Sequence, residues 1–182
     1  GEPVFLVGHS YGAHCALSAA HVSRDRIRRL VLYEAPWPAL LERDLARLEL
    51  KAAANQGDDL AVTFFRDTLT VPAAELREVR DSAEWPQIVA DGNPSLADLR
   101  ALANYRFDAE RYRRLNVPVL MQIGARSPRH FYVTDALAAA LPAARVEALS
   151  GQAHEGMTTA PELYVESLAG FLLAGDAVAG MA

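Results

Sequence analysis

The sequence predicts an α/β fold: a parallel sheet flanked by helices, with a block of short helices inserted between two of its strands. Three observations carry this. Apolar runs at Val4-Phe5-Leu6-Val7, Leu30-Val31-Leu32-Tyr33 and Val117 to Gly124 read as buried strands. Helical stretches of roughly 10–15 residues follow the first and the last of them, the spacing of crossover connections between parallel strands. From about 38 to 112, by contrast, there is little strand pattern, and helical periodicity is interrupted by Gly57, Pro72, Pro86 and Gly92-Asn93-Pro94.

Taken in order, Val4 to Val7 is a strand, and Tyr11 to about Val22 a helix whose small residues Ala13, Ala16, Ala19 and Ala20 allow close packing on a sheet. Cys15 lies in this helix and reads as a buried small hydrophobe. Arg24, Arg26, Arg28 and Arg29 fall in a solvated loop before the strand Leu30 to Tyr33, which runs into Glu34-Ala35-Pro36-Trp37-Pro38. Five short helices follow, at roughly 39–55, 58–69, 73–80, 82–90 and 95–103. The strand at Val117 to Gly124 is entered through Pro118, and a helix from about Phe131 to Leu141 places Ala136, Leu137, Ala140 and Leu141 on one face. Arg145 to Leu149 is a last strand and Pro161 to Leu173 a last helix, with Pro161 in its first turn. The organisation expected is a discontinuous core, 1–37 and 113–175, a helical cap or lid, 38–112, and a fraying tail, 176–182. No internal repeat is present.

Composition narrows the function classes. With 182 residues, 51% of them hydrophobic, the chain can bury one sizeable core. Its net charge of −5 argues against nucleic acid as a partner. No apolar run reaches the ~18 residues of a transmembrane helix, so no membrane association is expected. The single cysteine permits no intrachain disulfide, and the cytoplasm is the expected compartment. No cofactor and no metal are expected.

The chemistry concentrates at Gly8-His9-Ser10-Tyr11-Gly12. G-x-S-x-G between a strand and a helix is a nucleophile elbow, in which a tight strained turn projects the serine hydroxyl. Both glycines are expected to leave room for that turn. A Gly-rich turn with Ser10 as a helix cap is the plain alternative. An elbow strand ordinarily has neighbours on both sides, so its place at the very start makes the chain read as the C-terminal part of a longer fold.

These residues, with Arg29 to Pro36, Val117 to Gly124 and Leu149-Ser150-Gly151-Gln152-Ala153-His154, resemble the α/β-hydrolase superfamily. The chain looks like the C-terminal two-thirds of a cap-bearing member, lacking the N-terminal strands and the oxyanion loop that precede the elbow. The resemblance implies a partial α/β-hydrolase fold with an inserted helical cap, and a serine hydrolase acting through a Ser-His-acid triad. Ser10 is then the nucleophile and His154, in the loop after the last strand, the general base. The Tyr11 backbone N–H is one oxyanion donor.

The acid departs from the family pattern. The stretch after Gly124 reads Ala125-Arg126-Ser127-Pro128-Arg129-His130, with Ser127 where an aspartate is usual. Glu34, at the end of the preceding strand, is the favoured acid. Ser127 or a water as a weaker orienter, or no acid, stay open, and Asp135 and Glu155 rank lower. His9 and Trp37 are candidate substrate-binding residues. His14, His21 and His130 read as surface or packing residues. Leu40, Leu41, Phe64, Phe65, Trp85 and Tyr105 serve either a pocket wall or the cap's own core, the latter favoured for most.

The substrate implied is small, ester-like and apolar. A binding or partner module without turnover, or C–C hydrolase or haloperoxidase-like chemistry on the same residues, are the other readings. The missing N-terminal segment or a second copy of the chain are candidate partners.

Overall fold

A computed structural model describes residues 2–141 and 143–174. The expected tail, 176–182, lies outside the described residues. Four strands, β1 (Val4–His9), β2 (Ile27–Tyr33), β3 (Val119–Gly124) and β4 (Ala144–Leu149), form one sheet in the order β1-β2-β3-β4, all neighbours parallel. The predicted α/β class is therefore the observed one.

Alternation along the strands sorts side chains to two faces. Leu30, Leu32, Val119 and Met121 pack with Ala13, Ala16, Leu17 and Ala20 of α1 (Tyr11–Val22) and with Leu137 of α6 (Thr134–Ala140). Val31 and Leu120 point the other way, onto Phe171 of α8 (Pro161–Leu172). Cys15 is exposed rather than buried. Its position falls opposite the Ala13–Ala16–Leu17–Ala20 stripe on a helix of 3.6 residues per turn.

Among the described residues β1 pairs only with β2, and Val4 and Val7 are exposed along it. No helix among these residues is long and apolar enough to cross a membrane.

Between β2 and β3 the chain forms α2 (Pro38–Ala53), α3 (Gly57–Thr63), a π-helical turn at Phe64–Thr68, α4 (Ala73–Asp81) and α5 (Trp85–Ala103). The helices expected at 82–90 and 95–103 are thus one. Pro86 sits in the first turn, where its missing N–H costs nothing. Pro94 is inside the helix and removes one hydrogen bond. Tertiary packing overrides it: Leu96 and Leu99 pack with Leu48 and Leu60, and Gly92 sits so close that a Cβ there would lie 3.2 Å from Leu60 Cδ2.

The helix expected from Phe131 begins only at Thr134. Its first residues are engaged elsewhere. Val133 N–H donates to Ala35 O (2.9 Å), Phe131 O accepts from Trp37 N–H (2.8 Å), and Pro36 and Tyr132 form a bridge. A short helix, α7 (Gly156–Thr159), not foreseen from the sequence, follows the loop after β4.

The two elbow glycines differ. A Cβ at Gly8 would lie 2.4 Å from Gly12 O and 2.7 Å from Ala13 Cα, whereas one at Gly12 meets nothing within 4 Å among the described residues. Only Gly8 is required by close approach here. Gly8→Ala should lower stability by about 1–3 kcal/mol or more. Gly12→Ala, inside α1, should raise it by up to about 1 kcal/mol. Chemical denaturation of the two variants checks the contrast, and equal losses would refute it.

Candidate active site

Parallel strands present their C-terminal ends on one edge, and the candidate residues gather there. β1 and β2 are in register to His9 opposite Tyr33, so Ser10 and Glu34 are the next residues on adjacent strands. β3 ends at Gly124 beside them, and β4 leads through 150–153 to His154.

Ser10 has φ 53° and ψ −122°, and Glu34 has φ 47°. Such backbone costs a non-glycine residue of order 1–3 kcal/mol and persists only where its surroundings hold it. Ser10 N–H donates to Tyr33 O (2.9 Å), Ser10 O accepts from Ala13 N–H (3.0 Å), and Glu34 N–H donates to Gln122 O (3.2 Å). Tyr11 is the first residue of α1, a position whose N–H has no acceptor within the helix.

Glu34 is 1% exposed. Its Oε1 accepts from Gly124 N–H (2.7 Å), and its Oε2 lies 2.8 Å from His154 Nδ1. An ionised carboxylate can only accept, so Nδ1 carries the proton and Nε2 keeps its lone pair. His154 is itself 2% exposed. Burial works against its charged form, but the hydrogen bond and charge of Glu34, with the charges of Glu155 and Glu75, outweigh this and raise its pKa above 6.5. Tyr132 stacks on the imidazole, ring centroids 5.8 Å apart and planes within 10°, with its OH 3.3 Å from Nδ1. Burial first, then Glu34, pushes the Tyr132 phenol up, so it stays protonated.

His9 faces His154. The ring centroids are 4.4 Å apart, and His9 Nε2–H donates to His154 O (2.9 Å). Burial and the proximity of His154 hold its pKa well below 6.5, so His9 is the neutral member of the pair. Among the described residues no hydrogen bond joins Ser10 to His154. Ser127 does not bond the histidine either. Its N–H donates to Gly124 O (3.0 Å) and closes the turn after β3.

Asp135 pairs with Arg129 at the surface. Trp37 packs edge-on against Phe107 (5.2 Å) in the sheet's core cluster. His14 is buried and donates through Nε2 to Pro36 O (2.7 Å). Phe64, Phe65 and Trp85 belong to a core within the helical insertion.

Three contributors escaped sequence reading. Tyr33 is buried and its OH donates to Ala153 O. Tyr132 covers the imidazole. Glu75 of α4 is buried and accepts from Ala153 N–H (2.6 Å) and Glu155 N–H (2.8 Å). The available signal was a carboxylate sharing one buried stripe with Leu76 and Val79 on an amphipathic helix. His9, His154 and Glu155 place ligand-type atoms within 4.8 Å of one another. Each imidazole already commits one nitrogen to a hydrogen bond.

The model of the alpha/beta hydrolase family matches residues 1–167. The chain belongs to this family. Solved structures agree on the fold. An alpha/beta hydrolase from Sphaerobacter thermophilus is 26% identical with a TM-score of 0.72, over 92% of this chain and 66% of that one. The enol-lactonase from Burkholderia xenovorans is 17% identical with a TM-score of 0.72, over 93% and 65%. The proline iminopeptidase of Mycobacterium smegmatis is 18% identical with a TM-score of 0.59, over 98% and 67%. The chain therefore spans about two-thirds of the length of these solved structures. No curated protein matches its sequence.

Glu155 gives the site a measurable pH signature. Burial raises its pKa from 4.5 to about 7, against the pull of His154. The folded chain holds this proton where the unfolded chain has lost it, so stability falls as pH rises from about 4.5 to about 7. Glu155→Gln should therefore leave the melting temperature unchanged near pH 4 and raise it near pH 8, by the equivalent of at most about 3 kcal/mol. A difference between variant and parent that does not vary with pH would contradict this account.

Proposed function

We propose that the chain carries the catalytic residues of a serine hydrolase. The observation that supports it most is the buried Glu34 carboxylate, bonded to His154 Nδ1 and to Gly124 N–H at the strand end beside the strained Ser10. Ser10 Oγ attacks the acyl carbon while His154 Nε2 takes its proton, and Glu34 stabilises the imidazolium. The Tyr11 N–H stabilises the developing oxyanion. Protonated His154 then gives its proton to the leaving group, and water attacks the acyl-enzyme with the histidine again as base.

The insertion, 38–112, acts as the cap in this reading. A cavity of about 210 Å³ beside the elbow, lined by Tyr11, His14, Cys15, Leu102 and Tyr105 among others, lies between α1 and α5. Tyr11 links this cavity to the elbow, while Ser10 and His154 do not line it; a small, largely apolar ester or lactone is the substrate class this reading favours. The likeness in fold to the Burkholderia xenovorans enol-lactonase is compatible with that class. C–C bond hydrolysis or haloperoxidase-like chemistry would use the same residues.

A binding module without turnover is the second reading. It is favoured by the absence, among the described residues, of a Ser10–His154 hydrogen bond, and by Ser127 at the usual acid position. Catalytic hydrogen bonds are often long in unliganded sites and tighten on substrate.

The full-length protein should label with a fluorophosphonate probe, and Ser10→Ala and His154→Ala should abolish labelling. Glu34→Gln should lower kcat by up to about 10⁴ through loss of the correct imidazole orientation. In the parent, kcat/KM should rise with pH through a His154 pKa above 6.5, and Glu34→Gln should move that limb to lower pH. Labelling that survives Ser10→Ala, or is absent from the parent, sinks the enzyme reading.

A further inference from the structure

We propose that Glu75 is a positioning residue for His154, so that the helical insertion holds the general base as well as covering the site. The inference rests on the reading of His154 as the base.

Among the described residues the loop 150–155 pairs with no strand, yet Ala153, His154 and Glu155 are all buried. Buried backbone groups need partners, and here side chains from three elements supply them. Glu75 takes the two N–H groups on either side of His154, Oε2 from Ala153 at 2.6 Å and Oε1 from Glu155 at 2.8 Å. A carboxylate suits this task because it has two acceptor oxygens at fixed spacing, and charged acceptors make the stronger hydrogen bonds. Tyr33 OH donates to Ala153 O, and His9 Nε2–H donates to His154 O (2.9 Å). Beneath the loop, a Cβ at Gly124 would lie 2.4 Å from Ala153 Cα, so the backbone cannot sink toward β3.

With these contacts His154 retains only side-chain freedom, and Glu34 and Tyr132 fix that in turn. Of all these contacts, Glu75 alone comes from the insertion. α4 is anchored there by Leu76, which packs with Phe65, Leu69 and Val71. A displacement of the insertion therefore reaches the base through two hydrogen bonds. Misplacement of a catalytic group by about 1 Å can cost on the order of 10² in rate.

Glu75 also acts by its charge. The groups facing His154 are Glu34 after β2, Glu155 on its own loop, Glu75 on α4, His9 on β1, and the phenols of Tyr33 and Tyr132. Among these the three carboxylates favour the imidazolium.

The test compares Glu75→Ala, Glu75→Gln and Glu75→Asp in the full-length protein. Glu75→Ala and Glu75→Gln should lower kcat by about tenfold or more, leave KM within about twofold, and move the acid limb of kcat/KM to lower pH. Glu75→Asp, which keeps the charge, should recover part of kcat and the parent's limb. Hydrogen exchange gives a readout independent of turnover. The amides of Ala153 and Glu155 should exchange at least about tenfold faster in Glu75→Ala or Glu75→Gln, with Leu120 unchanged. Should the alanine variant fail to fold, the near-isosteric glutamine variant decides.

Unchanged exchange at Ala153 and Glu155, or an unchanged kcat and acid limb in a folded variant with reduced melting temperature, overturns the proposal. If the parent neither labels nor turns over, the reading of His154 as base fails. Unprotected parent amides at 153 and 155 would instead refute the clamp itself.

Discussion

The buried carboxylate of Glu34 constrains the geometry of the site. A carboxylate removed from water is costly unless both oxygens are satisfied and a positive partner is near. Here one oxygen takes the Gly124 N–H and the other the His154 Nδ1–H. These two bonds tie the end of β2 to the end of β3 and to the loop after β4. The backbone of Glu34 is left-handed, and its own N–H is pinned to Gln122 O. Neighbouring structure holds this strain in place. The side chain is thereby aimed along the strand-end edge toward the histidine. Loss of either partner would leave a buried oxygen without its hydrogen bond.

That constraint also separates the two histidines. His9 and His154 lie with rings 4.4 Å apart, both shielded by the same surroundings. Burial alone would depress both. His154 has a carboxylate on Nδ1 and two more, Glu75 and Glu155, close by, so its proton affinity rises. His9 bonds only to a backbone carbonyl and sits beside a group that becomes cationic, so its affinity falls. Pairs of titratable groups pushed apart by their environments define which one moves the proton. The neutral His9 serves as a fixed donor, holding the backbone of the histidine that titrates.

How much of this was legible in the sequence follows from how local each signal is. The strands and α1 were readable because apolar runs and small-residue periodicity are local consequences of burial. The elbow was readable because a strained strand-to-helix turn demands a glycine at position 8. Glu34 could be singled out because strand ends on one edge of a parallel sheet are neighbours in space, whatever their separation in the chain. Failures came where tertiary contacts decide. Pro94 reads as a break, yet packing of Leu96 and Leu99 on Leu48 and Leu60 carries α5 through it. Cys15 reads as core by residue type but is exposed, on the face of α1 opposite its buried alanine stripe. Tyr132 and Glu75 reach His154 from segments whose local pattern is that of ordinary packing, and Glu75 stands out only as a carboxylate on the buried stripe of α4 with Leu76 and Val79.

The insertion's own packing explains why a single carboxylate in it can matter at a distance. Phe65, Leu69, Val71 and Leu76 form one apolar cluster, and Leu48, Leu60 and Leu96 another, with Phe64 packed against both. Clusters sharing a residue move together more readily than they slide past each other, since close-packed interiors resist small deformations. α4 is thus carried by the insertion as a body. Its Glu75 reports the position of that body to Ala153 and Glu155, where the loop pairs with no strand among the described residues. Apolar packing resists a shift of α4, and the hydrogen bonds of Glu75 add to that resistance. These two buried bonds go to the backbone amides on either side of His154, and a shift would leave each amide without its acceptor. The placement of His154 therefore depends on the register between insertion and sheet, which the apolar clusters and the polar contacts at α4 hold together.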